Sequence, residues 1–245
     1  MTEMNEIYLY RGSAQEARSR DELPLWRESH KANVACRKAI EDTIRQHFDG
    51  MNLDPACLTP VLAEYGYKRT EWVLAATLQE LQWDGRFHPA NKEWAARHFI
   101  PKDERHNADI TVRSHPAILD GFVSLYRKAY QKLGLFGPDH CVGDRAEQDY
   151  TGKVLVLSPD VLREQYWGQE YQLLYTRSGF GCKPHSRGRA VFAVSLVDGE
   201  TARWNREDFV GVLKEELLPV WAQEKLAELT APRQEETAMG EMKLE

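Results

Sequence analysis

Residues 114–157, SHPAILDGFVSLYRKAYQKLGLFGPDHCVGDRAEQDYTGKVLVL, contain a change of hydrophobic period, and that change decides the fold class. At its start, Ser114-His115-Pro116 reads as a helix start with proline in the first turn. Ile118, Leu119, Phe122, Leu125, Tyr126, Ala129 and Leu133 then form a wide apolar stripe that runs to Gly134. At its end, residues 153–157 are a short leucine-rich and β-branched run of the kind that forms strands. The intervening Gly, Pro, Asp and Gln show little periodicity and read as a linker over 136–152.

Upstream, the helical period persists. Asp21 reads as an N-cap with Pro24 in the first turn, and Leu25, Cys36, Ile40, Ile44 and Phe48 continue at helical spacing to Gly50. Asp54-Pro55 opens a shorter helix with Leu58, Val61, Leu62 and Tyr65 that stops at Gly66. A third begins near Lys68 or Thr70 with Trp72, Val73, Ala76 and Leu78, and residues 91–99, flanked by Pro89 and Pro101, read as a fourth. Downstream, residues 171–176, 190–197 and 201–205 read as further strands, the last two joined by Asp198-Gly199, a strong hairpin signal. Asn205 is expected to cap a helix through Phe209, Val210, Val212, Leu213 and Leu217, and a second helix runs from Pro219 to about residue 229. The resulting expectation is an α+β chain, with an N-terminal helical domain over 1–135 and a small α+β domain over 153–230. The latter carries a small antiparallel β-sheet and C-terminal helices, before a flexible acidic tail over 231–245.

Composition limits the function. The 245 residues are 42% hydrophobic and 29% charged, enough for one large core or two small ones. Thirty-two Lys and Arg against 38 Asp and Glu give a net charge of −6, which excludes a polycation that coats nucleic acid over its whole surface. A nucleic-acid site must therefore be local. No apolar run has the length of a membrane span, and the start MTEMNEIYLYRGS lacks the basic segment and apolar core of a secretory signal, so a cytoplasmic protein is expected. Cys36, Cys57, Cys141 and Cys182 are widely spaced and read as reduced thiols.

The acids are unevenly placed. Residues 171–197 contain no Asp or Glu, yet they hold Arg177, Lys183, His185, Arg187 and Arg189. Glycines flank several of these cations, which suits close approach to phosphate or to an acidic protein surface, while a solvated basic loop is the plainer alternative. The segment SGFG matches neither a Walker loop nor a dinucleotide fingerprint, so no cofactor is expected. Cys182 and His185, with His140-Cys141, offer only one ligand-like spacing, and no metal is expected. Trp72, Trp83, Phe87 and Trp94 lie among Arg69, Arg86, Lys92 and Arg97. Most of that group fits a core, which leaves Trp83, Arg86 and Phe87, in a Gly- and Pro-containing turn, as the expected exposed contact residues. His30, His88, His98, His106 and His115 are scattered, with Asp84 and Glu93 near in sequence. No nucleophile elbow, HExxH or lysine-anchored serine motif appears, and no catalytic residue is expected.

The strings WRESHKANVACRKAIEDTI, HFDGMNL, WVLAATLQELQWDGRF, NKEWA and SHPAILDGF, together spanning about residues 7–133, resemble a domain-of-unknown-function family encoded on bacterial integrative and conjugative elements. GKVLVLSPDVL, QLLYTRSGFGC, SRGRAVF and NREDFVGVLKEELLPVWA, over about residues 152–222, look like a second module of the same elements. The resemblance implies a small accessory protein of a transferring element that blocks host defence or assists DNA transfer, and it carries over no catalytic residue. The expected function is a non-enzymatic, anti-CRISPR-like inhibitor whose partner is a host defence protein or nucleoprotein complex. A DNA- or RNA-binding accessory protein is the alternative, and an unrecognised nucleic-acid-processing enzyme is the third reading.

Overall fold

The computed structural model describes residues 7–142, 150–178 and 190–231, which fall into two compact units, 1–134 and 135–245. The first unit is helical: α1 (Ala14–Ser19), α2 (Leu23–His47), α3 (Leu58–Glu80), α4 (Pro89–Ala96), α5 (Glu104–Ile110) and α6 (Pro116–Gln131). Helix α3 is its axis. Val73, Leu74 and Ala75 are consecutive and fully buried, a pattern that only a helix covered on all sides can carry, and α2, α4, α5 and α6 all pack on it. Helix α2 presents Cys36, Ile40 and Ile44 as a buried i, i+4, i+8 stripe, and α6 presents Leu119, Phe122, Val123 and Tyr126.

The breaks in this unit arise from particular residues. Gly66 adopts φ +71° inside α3, where a side chain would be strained, so the helix bends there and resumes at once. The two helices expected on either side of Gly66 are thus two arms of one bent element. Gly134, at φ +68°, comes after α6 as a left-handed stop. Helix α1 is an addition to the expected elements, although Ser13 and Glu16 form a reciprocal capping box. The Glu16 carboxylate accepts from the Ser13 N–H at 2.8 Å, and the Ser13 hydroxyl accepts from the Glu16 N–H at 3.2 Å.

The second unit is built on a six-stranded antiparallel sheet in the order β1-β6-β2-β3-β4-β5. Its strands are β1 (Cys141–Val142), β2 (Val154–Leu157), β3 (Leu173–Ser178), β4 (Ala190–Ser195), β5 (Thr201–Asn205) and β6 (Phe209–Leu213). The same unit also carries α7 (Gln169–Gln172) and α8 (Val220–Thr230). Strand β2 is buried at every position because both faces of the sheet are covered. Leu155 and Leu157 join Tyr150, Val191 and Phe209 on one face. Val154 and Val156 join Phe136, Leu213 and Ala222, from α8, on the other. The β4–β5 hairpin turns at Asp198-Gly199 as its sequence predicts, with Gly199 at φ +74° and the Glu200 N–H bonded to the Asp198 carboxylate at 2.9 Å.

Two expectations are corrected here. The helix expected from Asn205 to Leu217 is instead a 3-10 turn (Arg206–Asp208), strand β6 and a second 3-10 turn (Glu215–Leu217). At the first turn, the Asp208 carboxylate accepts from the Asn205 N–H at 2.7 Å. Beyond that turn, however, Phe-Val-Gly-Val-Leu is a β-branched run that pairs with both β1 and β2. The span expected as a linker also belongs to the second unit. Phe136 and Tyr150 are buried and Cys141–Val142 forms the edge strand β1. The tail beyond residue 231 lies outside the described residues.

Candidate functional site

Of the residues singled out in the basic stretch, only Arg177 is described. It is exposed near the end of β3. Lys183, His185, Arg187 and Arg189 lie outside the described residues, as does Cys182. Strands β3 and β4 are antiparallel neighbours, with Ser178 opposite Phe192, so the connection carrying those cations leaves and rejoins the sheet at one end.

The aromatic turn of the first unit divides. Trp83 is 89% exposed. Arg86 is exposed but forks onto Asp84, with Nε to Oδ1 at 2.9 Å and Nη2 to Oδ2 at 2.6 Å. Hydrogen bonds from the Arg86 side chain and backbone hold the Asp84 carboxyl at about 2. The expectation that Phe87 is an exposed contact residue is overturned: it is 3% exposed and part of the helical core, because the turn folds its ring inward while Trp83 points out. Arg69, one of the cations interleaved with the aromatics, is also buried. It donates to the carbonyls of Ser29 at 3.0 Å and Ile7 at 2.6 Å, and to the Asn33 side chain, so it ties the N-terminal segment to α2 and α3.

A polar cluster that sequence reasoning did not assemble lies in the first unit. Trp26, Ser29, His30 and Asn33 share one face of α2 at i, i+3, i+4 and i+7. Against them lie Asp103, which precedes α5, and His106 of that helix. The His106 Nδ1 is 2.7 Å from an Asp103 oxygen and, facing a carboxylate, carries the proton. The His30 Nε2 lies 3.5 Å from the Asp109 carboxylate. Trp26 stacks on His30 with centroids 4.8 Å apart and planes 8° from parallel, and meets His106 at 4.6 Å at a steep angle. The two imidazoles are 5.2 Å apart.

Burial lowers the proton affinity of His30, and a charge on His106 lowers it further; Asp109 and Asp103 oppose both but do not overcome them. For Asp103, burial disfavours ionisation, but the His106 hydrogen bond and charge and the Ala14 N–H outweigh it, so its carboxyl is held below the usual range.

The chemistry open to this cluster is limited. Asp103 orients the His106 ring through its Nδ1, as a carboxylate orients a histidine. Neither serine in the recess is poised as a nucleophile. The Ser13 hydroxyl is engaged with Glu16, and the Ser29 hydroxyl, buried, accepts from the Tyr10 N–H at 2.9 Å. The recess measures about 30 Å³, room for water rather than for a metabolite. Among the described residues, no group of three or more His, Cys, Asp or Glu is arranged to hold a metal ion. Burial pushes the Cys141 thiol up to about 11 against the opposing charge of Lys214, and buried Cys36 rises to about 12, so neither is a ready thiolate.

Residues 9–131 match the model of a family described as protein of unknown function (DUF3849). No curated protein and no solved structure matches the chain. No helix among the described residues is long and apolar enough to cross a membrane.

Proposed function

The chain belongs to that family, and from this premise we propose that it works by binding rather than by bond-making, presenting the β3–β4 end of its sheet to an anionic partner. The observation that carries this reading is the charge pattern. A chain of net charge −6 has no acid in residues 171–197, where Arg177, Lys183, His185, Arg187 and Arg189 fall on β3 and on the connection to β4. Clustered arginines with glycine between them bind phosphate or carboxylate bidentately. The local excess of positive charge also steers anionic surfaces toward this end.

The resemblance to proteins of integrative and conjugative elements extends the reading. The partner would be a cytoplasmic host nuclease or its nucleic-acid-bound complex, and the chain an anti-CRISPR-like inhibitor of it.

The experiment is affinity capture from host lysate, with and without nuclease treatment, using the wild-type chain and the double variant Arg187→Glu, Arg189→Glu. Capture of a defence protein or complex that survives nuclease treatment and is lost in the variant supports the proposal. If the partner is bound through phosphate, log affinity falls linearly with log salt, and each lost phosphate contact reduces the slope by about 1. A shift of naked oligonucleotide in a gel, with no protein captured, would replace this reading with direct nucleic-acid binding. Equal capture by wild type and variant would discard the basic end as the contact.

A further inference from the structure

We propose that His30 and His106 form a proton-operated latch between α2 and α5, closed while at least one of the rings is neutral and opened when both carry charge. The proposal does not depend on the binding reading above, because it concerns a different face in the other unit.

The geometry supplies the device. The two imidazoles sit 5.2 Å apart with Trp26 against both, stacked on one and edge-on to the other. A second positive charge entering this cluster meets the first at close range in a half-buried setting, where water screens poorly. The groups that face the pair come from every neighbouring element. Helix α5 contributes Asp109 and the residue before it Asp103, the N-terminal segment contributes Tyr10, whose hydroxyl donates to Glu22 at 2.7 Å, and α3 contributes Arg69 through its bonds to Ser29 and Asn33.

Two of these, and Trp26 with them, favour charge on the rings. Asp103 is committed to His106 and to the Ala14 N–H, 3.4 Å away. Asp109 lies 3.5 Å from His30, but its side chain is 54% exposed, so its attraction is screened. The face of Trp26 favours a cation on His30, while its edge meets His106. Burial of His30 and repulsion from a charged His106 outweigh them, and Arg69 adds no attraction.

This balance fixes the sign. With its folded pKa below the ordinary 6.5, His30 binds fewer protons folded than unfolded across the interval between the two values. The contact is therefore at full strength above 6.5 and weakens as pH falls from there toward the depressed folded value. Opening would free α5, and through the Asp103 bond to Ala14 the start of α1, and would expose the Trp26 face of α2. The latch is thus a way to uncover an aromatic surface on acidification.

The test is hydrogen–deuterium exchange on the intact chain at pH 7.5 and 5.5, corrected for intrinsic rates. Amides of residues 106–110 are expected to lose protection by about tenfold more than those of α6, and His30→Gln to abolish the difference. Because that variant can fail to fold, the histidine ring protons of the wild-type chain are titrated by NMR as well. A His30 that charges below 6.5, with a midpoint that moves with the His106 titration, supports the latch. Uniform loss of protection across the unit, pH-independent protection of residues 106–110, or a His30 that charges at or above 6.5 would overturn it.

Discussion

Gln172 has no exposure, and all the hydrogen-bonding capacity of its amide group that matters is used inside the second unit. Its Nε2 donates to the carbonyls of Phe136 and Leu157, each at 3.0 Å, and its Oε1 accepts from the Phe136 N–H at 2.7 Å. One side chain therefore satisfies both backbone groups of residue 136 and fastens that segment to the end of β2. Replacing it with leucine keeps similar volume but strands two carbonyls and an N–H away from water. Gln172→Leu is expected to lower stability by about 2–4 kcal/mol, read from the urea midpoint at unchanged slope. A loss below about 1 kcal/mol would mean that water replaces the amide. Nothing in the sequence marks this residue, since a glutamine at a strand start reads the same whether clamped or solvated. Arg69 is illegible for the same reason: a buried guanidinium bonded to carbonyls and an exposed one have one letter. The α2 face with Trp26 and His30 is legible as a spacing, but its partners Asp103 and His106 come from a distant segment that periodicity cannot pair.

At the scale of elements, the strongest periodic signals are sound where one face is buried, as in α2 and α6, and where turn chemistry is specific, as at Asp198-Gly199. Periodicity fails at β6 because Phe209, Val210, Val212 and Leu213 fit a helical stripe as well as a short buried strand, and the cap at Asn205 and Asp208 points to a helix. The residue that separates the two is Gly211, a poor choice inside a helix. In β6 it faces β1, where a Cβ would lie 2.9 Å from the Cys141 Cβ. Gly211→Val should therefore push β1 off the sheet, costing about 1–3 kcal/mol by overpacking, and raise the reactivity of Cys141 toward a thiol reagent. Slow labelling of Cys141 in the folded variant, as in the wild type, would show that the sheet absorbs the side chain. The opposite edge is guarded differently. On β5 the Asn205 N–H is taken by Asp208, which shortens the stretch of open backbone available to another strand.

The whole chain carries separate cores, one among the helices of residues 1–134 and others on the two faces of the sheet in residues 135–245. The division near Gly134 is legible because the hydrophobic period changes there; the role of residues 136–150 is not, because a short edge strand and two isolated buried aromatics leave no periodic trace. Each unit closes its own apolar surface, and a segment with its own core is expected to fold alone. The charge asymmetry assigned to binding and the histidine pair assigned to the latch then lie in separately folding pieces. A fragment of residues 7–134 should give a helical far-ultraviolet spectrum and a single cooperative thermal transition, and should keep the pH dependence of the α5 amides. A fragment of residues 135–231 should keep any salt-sensitive partner binding and lose it on Arg187→Glu, Arg189→Glu. If the helical fragment melts without cooperativity, its core depends on the second unit and the two activities are coupled. If it folds but no longer responds to acid, the protons that matter are taken up outside the His30 and His106 pair.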